Sequence, residues 1–104
     1  MAHDAESTAQ TDLRMAREQV HIYAAILVAA GDAHAVLDIL LDAADPDAAH
    51  RDLRDRYGFT DVQAWAVLDV QFRRLTSADR HKVEQRLREL TAHVAALEEQ
   101  VGEA

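Results

Sequence analysis

Near the end of the chain Val83, Leu87, Leu90, Val94, Leu97 and Val101 follow one another at steps of four, three, four, three and four. That spacing puts them on one stripe of a helix, and it is the spacing of a coiled-coil seam. A stripe of this length among charged residues needs a second apolar stripe to cover it. The chain carries one near its other end. Leu13, Ala16, Val20, Tyr23, Leu27 and Ala30 alternate steps of three and four. The simplest path returns the last helix antiparallel along the first, burying Leu13, Val20, Tyr23 and Leu27 against Val83, Leu87, Leu90, Val94 and Leu97.

Between the stripes the local signals divide the chain into shorter helices. Gly31 suits the left-handed residue past a helix end, and Asp32 suits the cap of the next helix, which runs to about Ala43. Asp45-Pro46-Asp47 is a strong start signal: Asp45 caps, Pro46 sits where no amide hydrogen is needed, and Asp47 complements the positive helix end. The third helix exposes Arg51, Asp52, Arg54 and Asp55 around a thin seam of Ala49, Leu53 and Tyr57, and stops at Gly58. Thr60 and Gln63 have the spacing of a capping box, with Phe59 placed to pack on the following turn. A fourth helix is expected to reach Leu75. Its apolar residues from Val62 to Leu75 cover much of the circumference, as in a helix that is sandwiched or presented to a partner. The expected fold is all-α: two long antiparallel coiled-coil helices carrying a small globular head of three shorter ones. This domain spans 12–101 and follows a polar N-terminal tail, 1–11.

Composition agrees with this reading and narrows function. Aromatics make up 5% of the 104 residues, and much of the 49% hydrophobic content is alanine, which favours closely packed helices over a sheet core. A net charge of −8 argues against tight nucleic-acid binding by these residues alone. The absence of cysteine excludes a disulfide framework, thiolate metal sites and a cysteine nucleophile. The longest apolar run, Ile22 to Ala30, is nine residues, against the ~20 of a membrane-spanning helix. No signal peptide is visible, so the expected location is the cytoplasm.

Few constellations suggest chemistry. His3, His21, His34, His50, His81 and His93 are each at least twelve residues from the next, with no i, i+4 pair to hold a metal. Asp38, Asp42, Asp45 and Asp47 cluster near a helix junction, but Pro46 interrupts any calcium-loop pattern, and caps and helix dipoles account for them. Ser7 and Ser77 lack a Gly-flanked elbow, and the three glycines, at 31, 58 and 102, form no phosphate loop. Tyr23 and Tyr57 fall on packing stripes. Arg73-Arg74 is an adjacent basic pair that reads as salt-bridging surface arginines near a helix C-terminus. No catalytic, cofactor or metal residue is assigned.

The run Tyr57-Gly58-Phe59-Thr60-Asp61-Val62-Gln63-Ala64-Trp65-Ala66-Val67-Leu68-Asp69, followed by Arg73-Arg74-Leu75-Thr76, resembles the exit-gate region of the GyrA-type subunits of DNA gyrase and topoisomerase IV. Ala24 to Leu27 and Ala35 to Asp38 look like the end of that family's descending coiled-coil helix and the start of its head. Lys82-Val83-Glu84 resembles the start of the returning helix. The resemblance covers roughly Leu13 to Gln100. Ser77 and Ala78 replace the Gly and Leu that commonly follow the family's Thr. Trp65 is bulkier than the usual residue, and Gln71-Phe72 stand for a basic-then-Leu pair.

The resemblance implies a non-enzymatic dimerisation module, standing alone, whose heads meet across a two-fold axis to form the last barrier that transported DNA passes. The family's DNA-cleaving tyrosine belongs to a winged-helix domain upstream of this region, so Tyr23 and Tyr57 inherit no catalytic role. The expected partners are a second copy of the chain or the matching gate of a topoisomerase, whose activity the pairing would modulate. The apolar surplus of the fourth helix places the dimer interface at Val62, Trp65, Asp69 and Phe72, with Trp65 and Phe72 nearly on one helix face. Two alternatives remain open at this point: a dimeric adaptor unrelated to DNA topology, and a small helical enzyme of the chorismate mutase type.

Overall fold

The computed structural model describes residues 7–103. Within them the chain forms α1 (Thr8–Gly31), α2 (Ala33–Asp42), α3 (Pro46–Tyr57), α4 (Asp61–Leu68), a 3-10 turn (Phe72–Leu75) and α5 (Ser77–Glu103), and no strand. His3 and most of the expected polar tail lie outside the described residues. Of the rest of that tail, Ser7 is an extended cap and residues 8–11 are helical. α1 starts at Thr8 because Ser7 and Gln10 form a reciprocal capping box, with the Gln10 N–H donating to Ser7 Oγ at 3.1 Å and the Ser7 N–H to Gln10 Oε1 at 2.9 Å.

The two long helices lie side by side, with the start of α1 beside the end of α5. Leu13 and Ala16 of α1 close over Leu97, flanked by Ala9, Val94 and Val101. Nearby, Arg17 donates to Glu98 at 2.6 Å across the same junction. Both side chains are about half exposed, so this pair adds ~1 kcal/mol at most. At the other end Leu27 and Gly31 share a hollow with Ser77, Arg80 and Glu84. The stripe on α5 is uneven. Val83, Leu90 and Leu97, seven apart, are buried, whereas Leu87 and Val94 are half-buried. On α1, Leu13 is buried and Val20, Tyr23 and Leu27 are half-buried. Small residues take over the buried positions beyond them.

Those small residues, Ala25 and Ala29, face a second core. It joins α1 to Val36 of α2, Leu53 of α3, Phe59, and Ala64 and Val67 of α4. Alanine at these sites lets helix backbones approach closely, and Leu53 fills the centre with no exposed surface. α2 leaves α1 at a bend of 91°. The molecule therefore broadens at one end, within overall extents of 51 × 30 × 19 Å. No single helix among the described residues is long and apolar enough to cross a membrane.

Three local expectations are corrected. Gly31 is not left-handed: α1 continues through it, and Gly58 is the glycine with positive φ, 71°, where α3 ends. Asp32 makes no capping bond and instead accepts a hydrogen bond from the Tyr57 hydroxyl at 2.7 Å. The fourth helix does not reach Leu75. It ends at Leu68, Gln71 is extended, and the chain re-enters a 3-10 turn that leads directly into α5. Asp69 and Val70 are weak helix formers, and no Gly or Pro marks the break in the sequence.

Candidate functional site

A polar network sets the start of α4 against the middle of α1. Thr60 caps α4, accepting from the Gln63 N–H at 3.3 Å, while the Thr60 N–H donates to Gln63 Oε1 at 3.0 Å. The Gln63 amide also donates to the His21 carbonyl at 2.8 Å, and His21 Nε2 lies 2.7 Å from Thr60 Oγ1. One capping box thus also joins two helices. Next to it, His50 is buried on α3 and donates from Nε2 to the Asp61 carbonyl at 3.1 Å. Asp61 in turn accepts from Arg54 at 3.1 Å. Trp65 stacks on the His50 ring, with centroids 4.3 Å apart and planes 25° from parallel.

Below this network the surface turns apolar. Leu37 and Leu40 of α2, Leu68 at the end of α4, Val70 just beyond it, and Phe72 and Leu75 of the 3-10 turn line one groove. An adjoining hollow shares Leu40 and Leu68 and adds Pro46, Ala49, Trp65 and Asp69. Several lining side chains are open: Phe72 is 78% exposed, and Trp65 and Leu37 each 41%; Leu41, one turn beyond Leu37 on α2 and lining neither, is 72% exposed. An exposed apolar patch of this kind, rimmed by polar residues, marks a protein-interaction surface more often than a bare monomer surface.

The four residues expected at the interface are divided by the break after Leu68. Trp65 and Asp69 line the hollow, and Phe72 lines the neighbouring groove. Val62 is 57% exposed but lines neither. Trp65 and Phe72 therefore meet one surface from separate elements, not from one helix face. Leu37, Leu40 and Leu41 were not among the expected interface residues. The signal for them was present, because Val36, Leu37, Ile39, Leu40 and Leu41 are too many apolar residues for one face of a ten-residue helix.

Arg73 and Arg74 do not form the salt bridges expected of them. Arg73 Nε donates to Gln71 at 2.7 Å, and neither guanidinium has a carboxylate partner among the described residues. The Tyr57 hydroxyl keeps its proton to higher pH than an ordinary tyrosine. Burial contributes most to this, followed by the hydrogen bond to Asp32 and that carboxylate's charge, with Arg56 opposing.

The described residues form an all-helical fold with an open apolar face, and comparison with known proteins gives its family. Residues 3–104 match the model of the GyrA-type subunit of DNA gyrase/topoisomerase IV, and the chain belongs to that family. The GyrA-type DNA gyrase subunit of Brachyspira hyodysenteriae is 33% identical over 88 residues, covering 85% of this chain and 11% of the relative. The Campylobacter jejuni protein of the same name is 33% identical over 88 residues, covering 85% and 10%. That of Treponema pallidum is 30% identical over 91 residues, covering 88% and 11%. The chain spans about a tenth of the length of these relatives.

Proposed function

We propose that these residues form a homodimerisation module equivalent to the exit gate of a type IIA topoisomerase, working in the cytoplasm. α1 and α5 are its antiparallel coiled-coil stalk, α2 to α4 with the 3-10 turn are its head, and two heads meet across the apolar face. The observation that carries the proposal is that face. Leu37, Trp65 and Phe72 stand open to solvent along a groove and the hollow that adjoins it, on a chain whose net charge is −8. Covering such side chains is worth about 1.5–3 kcal/mol each, and a second copy supplies an identical surface.

The role is mechanical and not catalytic. A tyrosine nucleophile needs a nearby base and an accessible phenolate. Tyr57 has Asp32 beside its hydroxyl but holds its proton to higher pH than an ordinary tyrosine, which disfavours the phenolate that such a nucleophile must supply. Membership of the family makes the corresponding head of a full-length topoisomerase the other partner that this face would fit.

The test is co-purification of two differently tagged copies expressed together. The reading expects each tag to bring down the other at micromolar concentration. Recovery of each tag alone overturns it.

A further inference from the structure

Arg73 and Arg74 border a hollow of their own, apart from the apolar groove. It holds about 340 Å³ between α1 and the segment that follows the break after Leu68. Ile22, Tyr23 and Ile26 of α1, with Ala66 and Val70, give it an apolar lining. Asp69, Gln71 and the two arginines complete it with polar groups. Arg73 Nε donates to Gln71 Oε1 at 2.7 Å. That bond holds the guanidinium in place and leaves its two terminal nitrogens, the edge that grips a carboxylate end-on through two hydrogen bonds. Neither arginine has a carboxylate partner among the described residues, whereas Arg17, Arg51, Arg54, Arg56 and Arg86 each have one within 3.9 Å.

We infer that this hollow binds a small monocarboxylate with an apolar body, such as an aryl carboxylic acid. The body lies on Ile22, Tyr23 and Ile26, and the carboxylate lies on the two guanidiniums. Three features select this class. The volume is at the low end of the ~300–1,000 Å³ of small-molecule sites, which suits one or two rings. Asp69 offsets one of the two arginine charges, so the site favours a single negative charge over a dianion or a phosphate monoester. A bare inorganic anion leaves the apolar lining uncovered, and a neutral aryl compound leaves both guanidiniums without a counter-charge. The site stands apart from the self-association proposed above. It has only Val70 in common with the apolar groove and only Asp69 in common with the hollow beside Trp65.

The test titrates cinnamate, its neutral isostere cinnamamide, and inorganic phosphate into the full chain, followed by two-dimensional amide NMR. Cinnamate should give saturable shifts with a Kd of about 1 mM or tighter, largest at the amides of Ile22, Tyr23, Ile26, Val70, Arg73 and Arg74. Cinnamamide should bind about tenfold more weakly or worse, and phosphate should not saturate over the same concentrations. Arg73→Gln with Arg74→Gln should weaken cinnamate about tenfold or more and leave cinnamamide within about threefold of its parent value. Unchanged far-ultraviolet circular dichroism shows that the double variant is folded, and the comparison of the two ligands on the parent decides the question without it. Equal affinity for cinnamate and cinnamamide overturns the role of the arginines, as does a double variant that binds cinnamate like the parent. Phosphate that binds as tightly as cinnamate overturns the role of the apolar lining. Shifts centred on Leu37 and Leu40 place the ligand in the apolar groove and overturn the site, and so does the absence of saturable shifts.

Discussion

Phe72→Ala separates a side chain that serves association from one that serves the fold. A phenylalanine carries about 200 Å² of surface, of which 78% is open here, leaving roughly 150 Å² for a partner to cover. At ~25 cal/mol per Å² that area is worth at most about 4 kcal/mol per side chain. Partial coverage and the retained β-carbon reduce this to about 2 kcal/mol. A two-fold dimer loses it twice, so the substitution should cost about 4 kcal/mol of association, on the order of a thousandfold in Kd. The part of Phe72 already buried in the protomer is small and worth roughly 1 kcal/mol. Sedimentation velocity across a concentration series reads the first quantity, and thermal melting followed by circular dichroism reads the second. The expected result is a folded protomer that no longer dimerises at micromolar concentration. A variant that dimerises as tightly as the parent would remove Phe72 from the interface and refute the reasoning from exposed area.

Three further outcomes follow from the same structure. Leu53→Ala empties the centre of the broad end, where the side chain has no exposed surface, and should lower protomer stability by about 2–5 kcal/mol, read from denaturant midpoints. Tyr57 holds its proton above the ordinary value of 10.0 in the fold, so its contribution to stability is complete below that pH and is lost as pH rises through the raised value. Alkaline unfolding curves of Tyr57→Phe should therefore show a shallower fall above about pH 10 than the parent. Duplex DNA should not bind with sub-micromolar affinity in a mobility shift at physiological salt, because Arg73 and Arg74 are too few to offset a net charge of −8.

The sequence makes legible whatever is decided within one or two helical turns. Asp45 and Pro46 start α3, and Thr60 with Gln63 start α4, because a cap and its partner amide are three residues apart and need no tertiary information. Ser7 and Gln10 have the same spacing as Thr60 and Gln63, so the start of α1 inside the expected tail had a local signal too. The pairing of α1 with α5 is legible because both stripes are long. The end of α4 is not. From Val62 to Leu75 the apolar residues suit one helix, and no Gly or Pro marks the break after Leu68. The expected interface depended on that helix, since Trp65 and Phe72 share a face only if it is unbroken. Leu37 and Leu41 show the converse case. Their excess is visible as composition, but the side of α2 left uncovered depends on where the other helices pack.

The central claim is that the open face on the head is covered by a second copy. Static light scattering on the purified chain at micromolar concentration measures this directly. The proposed gate predicts a mass of twice the 11.6 kDa protomer. A uniform 11.6 kDa species contradicts it.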